Sequence, residues 1–165
     1  MAKKIKLSLF CKPKLNYKEN MFSKACQYGI KSVIYIWKQS QNGQKVGAKE
    51  IASYVDAPEP FTAKILQDLV RKKIIGSQKG PTGGFYVGKE HEAFTLKDLV
   101  EVIDGDNLFN GCSLGLDQCS ESNPCPLHRE IKQIRSGVIH MLTKKSLKQL
   151  AEEVESGETV LSRLA

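Results

Sequence analysis

The chain has 165 residues, of which 41% are hydrophobic and 26% charged, with a formal net charge of +7. That balance supports a buried core in one domain with an appendage and excludes global disorder. No apolar run approaches the roughly 18–20 residues of a membrane span, so a cytoplasmic location is expected, where cysteines do not build a disulfide framework.

Residues 1–20 hold six lysines and one glutamate, which leaves 19 basic and 17 acidic residues in the rest. They show neither helical nor strand period, and the apolar stretch Leu7–Cys11 is shorter than the roughly 7–15 residues of a signal core. This segment is expected to be a disordered basic extension, and Cys11 a free thiol in it. The overall charge is therefore weak evidence for a nucleic-acid partner.

From Ser23 to about Gln41, Cys26, Ile30, Val33, Ile34 and Trp37 recur on one helix face. A short helix over Ala48 to Tyr54 follows, with Ile51, Ala52 and Val55 inward, and Asp56-Ala57-Pro58 breaks it. A third helix runs from Pro58 or Pro60 to Lys73, with Phe61, Ile65, Leu66, Leu69 and Val70 as its buried stripe; proline suits a first helical turn. Two short helices around a tight break predict a helix-turn-helix. Ile74–Gln78 and Phe85–Val87, flanking a Gly/Pro turn, predict a hairpin, and the whole reads as a winged helix. Thr95–Asp98 is a capping box that starts a fourth helix with Leu96, Leu99, Val100 and Ile103 on one side, and Gly105 stops it. Residues 106–124 read as a loop with little to bury. Pro126 opens a long helix to about Thr143 with the stripe Leu127, Ile131, Ile134, Val138, Met141 and Leu142. Ser146 caps a last helix through Val154. His91, among Lys89, Glu90 and Glu92, reads as a solvated loop residue, and His140 as a surface one.

The fold class expected is mostly α with a small β-hairpin, a winged helix-turn-helix plus a long dimerisation helix. Its parts are the extension at 1–20, a DNA-binding domain at 21–90, a connecting helix at 91–105, a cysteine-rich loop at 106–128, the dimerisation helix at 125–145, and a C-terminal helix and tail at 146–165.

In a helix-turn-helix the N-terminal residues of the second helix reach base edges. Here those are Pro58, Glu59, Pro60, Phe61, Thr62 and Lys64; Glu59 can accept from a cytosine amino group and Thr62 can touch a thymine methyl. Lys79, Gly80 and Pro81 form the wing tip. Residues 58–80 carry five basic and two acidic groups. Basic residues in a last helical turn also complement the helix dipole, so this pattern alone fits a protein-binding module as well.

Cys112, Cys119 and Cys125 lie on the polar loop with six and five residues between them, and His128 follows. Three cysteines there are hard to explain as packing, and thiolates are soft ligands for Fe–S clusters, zinc or Cu(I). Cys125 is expected at or near the N-cap of the long helix, with His128 on the same face. Structural zinc sites commonly use closer cysteine pairs, and the wide gaps suit a larger group. A zinc site and a metal-free thiol switch stay open. Cys26, on the first helix's stripe, reads as core. No base–nucleophile pair, phosphate-binding loop or paired carboxylates point to an enzyme. An iron–sulfur electron carrier and a zinc-stabilised interaction module are the other classes.

Met21-Phe22-Ser23-Lys24 with Tyr28-Gly29, Pro58–Phe61 with Lys64-Ile65-Leu66, and Lys79-Gly80-Pro81 with Gly83-Gly84-Phe85, followed by the three-cysteine loop, resemble the IscR/NsrR-type (Rrf-two) family of winged-helix iron–sulfur regulators. The resemblance covers residues 21–154. It implies a homodimer on a pseudo-palindromic operator in double-stranded DNA, most simply a repressor, that senses iron–sulfur, redox or nitric oxide status. It also implies a 2Fe–2S or 4Fe–4S cluster on Cys112, Cys119 and Cys125, with His128 at the place of a fourth ligand in the iron–sulfur-homeostasis branch. In the nitric-oxide-sensing branch that ligand is acidic and comes from the partner's first helix. Gln27 stands there instead, which favours His128 and 2Fe–2S. Lys79 replaces a common arginine at the wing, and Thr82 interrupts a glycine-rich turn in which a left-handed residue would be strained.

Overall fold

The structure, a computed structural model, describes residues 20–161. The expected basic extension, with Cys11, lies outside them except for Asn20, as do residues 162–165.

Helix α1, Lys24–Gln41, starts where the Ser23 side chain accepts from the Cys26 backbone N–H. It touches α2 (Ala48–Val55), α3 (Glu59–Arg71), α4 (Leu96–Asp104) and α7 (Leu147–Glu155), so it buries more than one stripe. Ile36, off the expected face, is fully buried together with Cys26 and Val33. Gly29 allows α4 to approach, since a Cβ there would stand 2.3 Å from Ile103 Cδ1.

The break between α2 and α3 is a left-handed Asp56, φ 54°, which aspartate tolerates better than most residues. Pro58 caps α3 and Pro60 lies in its first turn. The buried stripe is Thr62, Ile65, Leu66 and Leu69. Phe61, expected inside, is 42% exposed, and Val70 is only partly buried. At about 100° per residue, both lie about a quarter turn from the centre of that stripe.

The wing is a two-stranded antiparallel hairpin, β1 (Gly76–Gln78) and β2 (Gly84–Tyr86), with Ser77 opposite Phe85. Its strands are shorter than expected: Ile74 and Ile75 precede β1 and lie in the core, each 1% exposed. Val46 pairs with the other edge of β2 through Val46 N–H to Phe85 O (3.0 Å) and Phe85 N–H to Val46 O (2.8 Å). Gly84 permits this approach, because a Cβ there would stand 2.8 Å from the Val46 backbone. The left-handed residues of the turn are Gly80 and Gly84, and Thr82 is not one of them, so it escapes the strain a left-handed conformation would impose.

His91 is a correction. It lies in a 3-10 turn, Lys89–His91, is only 5% exposed, and its Nδ1 accepts from the Gly88 backbone N–H at 2.8 Å. Thr95 and Asp98 form the expected capping box of α4, and Gly105 (φ 77°) ends it. Residues 106–124 differ from a bare loop. They contain a helical turn, α5 (Asn107–Asn110), that buries Phe109 to 5% exposure beneath the Lys97 ammonium, 4.9 Å from the ring centroid.

The long helix α6, His128–Thr143, begins two residues later than Pro126. Of its apolar stripe only Leu142 is buried; Leu127, just before it, and Ile134 and Met141 are 44%, 64% and 52% exposed. Ser146 caps α7, whose Leu147 and Ala151 join the same core as α1. A short bridge, Leu147 N–H to Phe94 O at 2.8 Å, ties the start of α7 to the residue before Thr95.

Candidate metal centre and nucleic-acid surface

The three cysteines of the loop converge because tight turns fold it back on itself. Gly115, left-handed at φ 68°, donates to Cys112 O at 2.9 Å; Cys119 N–H donates to Leu116 O at 3.2 Å. Ser120 and Asn123 exchange backbone hydrogen bonds of 3.2 Å, and His128 N–H closes the last turn on Cys125 O at 3.0 Å. The outcome is three Sγ atoms within 4.8 Å of one another, with Cys112 and Cys125 at 3.9 Å. All three are unbridged and partly buried, at a small pocket of about 40 Å³.

Cys125 lies two residues before the Leu127 N-cap, near the helix start without being the cap itself. Backbone N–H groups aimed at sulfur do bear on Cys112, whose thiol is held below its ordinary range by Leu116 and Leu114, with smaller help from Cys119 and Cys125. For Cys119, the Cys125 N–H favours the thiolate, but burial and the neighbouring Cys125 and Cys112 sulfurs outweigh it and push the thiol up. Crowded sulfurs oppose one another's ionisation, and a soft cation among them is what favours the thiolates together. The donor set fits such a group.

His128 stands at the edge of this cluster. Its Nδ1 lies 3.2 Å from Cys119 Sγ, and its Nε2 lies 3.2 Å from Glu121 Oε1. Lys132 donates to the same oxygen at 2.5 Å and, ahead of His128, holds the Glu121 carboxyl below its usual range. The Arg135 guanidinium donates to Gly111 O, fastening the start of the loop to α6. Glu121, Lys132 and Arg135 went unnoticed in the sequence, although 128, 132 and 135 share one helix face. Gln27, in the first turn of α1, donates its side-chain N–H to Phe22 O at 2.9 Å.

Cys26 is core: fully buried, with its thiol pushed up to about 12 by burial and then by Asp104.

Of the residues expected at DNA, Pro58, Glu59, Pro60, Phe61 and Lys64 are exposed around the start of α3, and Lys79, Gly80 and Pro81 are exposed at the wing tip. Thr62 is a correction. Its side chain is fully buried and its hydroxyl donates to Pro58 O at 3.1 Å, so it supports the helix start from within and cannot offer its methyl to a base. Arg71 is engaged by Asp68 at 2.6 Å. Lys45 and Lys49 are also exposed, Lys45 beside the Val46 bridge to the wing and Lys49 in the first turn of α2.

Comparison with known proteins gives this arrangement a context. The family model described as "Rrf2: Iron-dependent Transcriptional regulator" matches residues 22–153. An HTH-type transcriptional regulator of Aquifex aeolicus (strain VF5) is 30% identical over 132 residues, covering 79% of this chain and 90% of its own. The fold is similar to that of CymR (YrzC), the global cysteine regulator of B. subtilis, with a TM-score of 0.65 at 23% identity over 81% of this chain and 97% of the other. It is equally similar to T. potens IscR, with a TM-score of 0.65 at 16% identity over 86% and 93% of the two chains.

Proposed function

From the premise that this chain belongs to the Rrf2 family of transcriptional regulators, we propose that it is a dimeric, cytoplasmic DNA-binding regulator whose Cys112, Cys119, Cys125 and His128 hold an iron–sulfur cluster, 2Fe–2S rather than 4Fe–4S. The observation that carries this reading is the convergence of the three sulfurs within 4.8 Å on an otherwise polar loop. When bound, such a cluster supplies one-electron redox chemistry at a potential set by its ligands and surroundings.

The chain's own residues divide the remaining work. Residues 21–90 form the reading head, with Pro58, Glu59, Pro60, Phe61 and Lys64 facing the major groove and Lys79, Gly80 and Pro81 a flanking backbone. Residues 91–105 connect it to the ligand loop at 106–128. The exposed Ile134 and Met141 of α6 are covered by a second copy in a dimerisation segment at 125–145, and a two-fold dimer matches a pseudo-palindromic operator. The loop meets α6 at Gly111 through Arg135 and meets α1 through the end of α4, so order in the loop biases how the two heads are held. Metal-loaded and metal-free dimers then differ in operator affinity only by the loop's differential stability in the two arrangements. The regulator is a repressor in this reading.

A second reading has an observation of its own. Tetrahedral zinc with bonds of about 2.3 Å separates its sulfurs by about 3.8 Å, and Cys112 and Cys125 stand 3.9 Å apart. A single zinc ion would make the centre structural and colourless.

Cys119→Ala tests the proposal. The variant is expected to lose visible charge-transfer absorbance after anaerobic iron and sulfide reconstitution and to change operator affinity at least several-fold. Unaltered absorbance and unaltered DNA binding would refute it.

A further inference from the structure

One carboxylate beside the sulfurs makes contacts that the ligand set alone does not require. Glu121 lies between the second and third cysteines, two residues after Cys119. Its Oε1 accepts from Lys132 Nζ at 2.5 Å and stands 3.2 Å from His128 Nε2. His128 and Lys132 are four residues apart on α6, so they share a helix face, and Glu121 lies across both. The opposite ring nitrogen, Nδ1, is 3.2 Å from Cys119 Sγ.

These two contacts bear on where the imidazole hydrogen sits. A neutral imidazole has one N–H, and an ionised carboxylate only accepts. With Glu121 on the Nε2 side, the hydrogen belongs on Nε2, which leaves the Nδ1 lone pair facing Cys119. A thiol hydrogen on Cys119 pointing at Nδ1 satisfies the same tautomer in the metal-free chain. We infer that Glu121 is a positioning residue for the centre: held by Lys132, it locks His128 as the Nε2–H tautomer and so commits Nδ1 to ligation. Histidine ligands are commonly oriented by a carboxylate on the far ring nitrogen, and losing that partner typically costs 10–100-fold in metal affinity.

The exposure of the three groups separates this role from a contribution to stability. The side chains of Glu121 and Lys132 are 70% and 59% exposed, so their ion pair adds little to folding, whereas the His128 side chain is 18% exposed and its ring orientation is confined. What Glu121 supplies is direction. The ligation half of the inference rests on the metal-centre reading above; the tautomer half does not.

The experiment begins with the metal-free, reduced full chain labelled with ¹⁵N at pH of about 8, above the ordinary imidazole range of about 6.5. Two-bond ¹H–¹⁵N correlation is expected to show His128 with a protonated Nε2 and a bare Nδ1. Glu121→Gln, which keeps an accepting oxygen, retains that tautomer, and Glu121→Ala gives a mixture. An Nδ1–H ring in the wild type, or an unchanged ring in Glu121→Ala, overturns the inference. Co²⁺ titration of the same proteins is expected to show at least about tenfold weaker binding in Glu121→Ala and a smaller loss in Glu121→Gln. Equal Co²⁺ affinity in all three overturns the positioning role. A wild type that binds no Co²⁺ overturns the ligation half of the inference, whereas the iron–sulfur reading fails only if iron and sulfide are not retained, and the tautomer result stands apart from both.

Discussion

Asp104, the last residue of α4, accepts hydrogen bonds from both the backbone N–H (3.0 Å) and the hydroxyl of Ser23, the N-cap of α1. The two residues are 81 positions apart in sequence, and the cysteine loop begins two residues after Asp104, past Gly105. The N-cap residue of the central helix α1 is therefore itself held by the last residue of α4, just ahead of the cysteine loop. A capping interaction of this kind is worth about 1 kcal/mol. Asp104→Ala is expected to lower unfolding stability by about that amount and to shrink the difference in operator affinity between metal-loaded and metal-free protein. Full retention of that difference, measured by fluorescence anisotropy, would remove this contact from the coupling path.

Thiol reactivity in the metal-free, reduced protein follows from the surroundings of each sulfur. Backbone N–H groups favour the Cys112 thiolate, and burial beside Asp104 pushes Cys26 up to about 12. With iodoacetamide between pH 7 and 8, Cys112 is expected to alkylate before Cys119, and Cys26 to remain unmodified until the chain unfolds. Peptide mass spectrometry at timed intervals gives the order, and early labelling of Cys26 would contradict the packing of α1 against α4.

The face of α6 that carries Ile134 and Met141 should decide the oligomeric state. Both side chains are more than half exposed in one chain, so charging them leaves the fold intact. Ile134→Glu is expected to weaken self-association at least tenfold by sedimentation with an unchanged circular dichroism spectrum. A dimer of undiminished affinity would place the two-fold contact elsewhere.

Two substitutions separate the reading surface from its support. Lys79→Ala is expected to weaken DNA binding modestly and reduce the slope of log K against log salt by about one counterion. Thr62→Val, at a buried position whose hydroxyl bonds Pro58 O, is expected to cost about 1 kcal/mol of stability and leave base preference unchanged. An altered preference in selection experiments would return Thr62 to the recognition surface.

Much of the fold was legible in the sequence because its elements are local and strongly marked: the capping boxes at Thr95 and Ser146, the Asp56–Pro60 break and the glycines of the wing all appear where residue chemistry places them. What was misread depends on surroundings that residue type alone does not report. Ile36 is buried because α1 is surrounded, which a single apolar stripe does not report. His91 hides among charged residues, and its burial comes from a turn that brings Gly88 N–H onto Nδ1. Thr62 was judged by chemistry as a base contact, although it lies three and seven residues before Ile65 and Leu69 on the inward face. The cysteine spacing announced a ligand set, but the turns at Gly115 and at Ser120–Asn123 that close it, and the Glu121 contact to His128, are tertiary facts.

The most direct measurement is the iron and acid-labile sulfide content, with the absorption spectrum, of the full chain purified without oxygen. A coloured protein holding iron and sulfide in about equal amounts, both lost in Cys112→Ala, Cys119→Ala and Cys125→Ala, is the expected result. A colourless wild type that stays iron-poor after reconstitution, or one that holds a single zinc ion per chain, would contradict it.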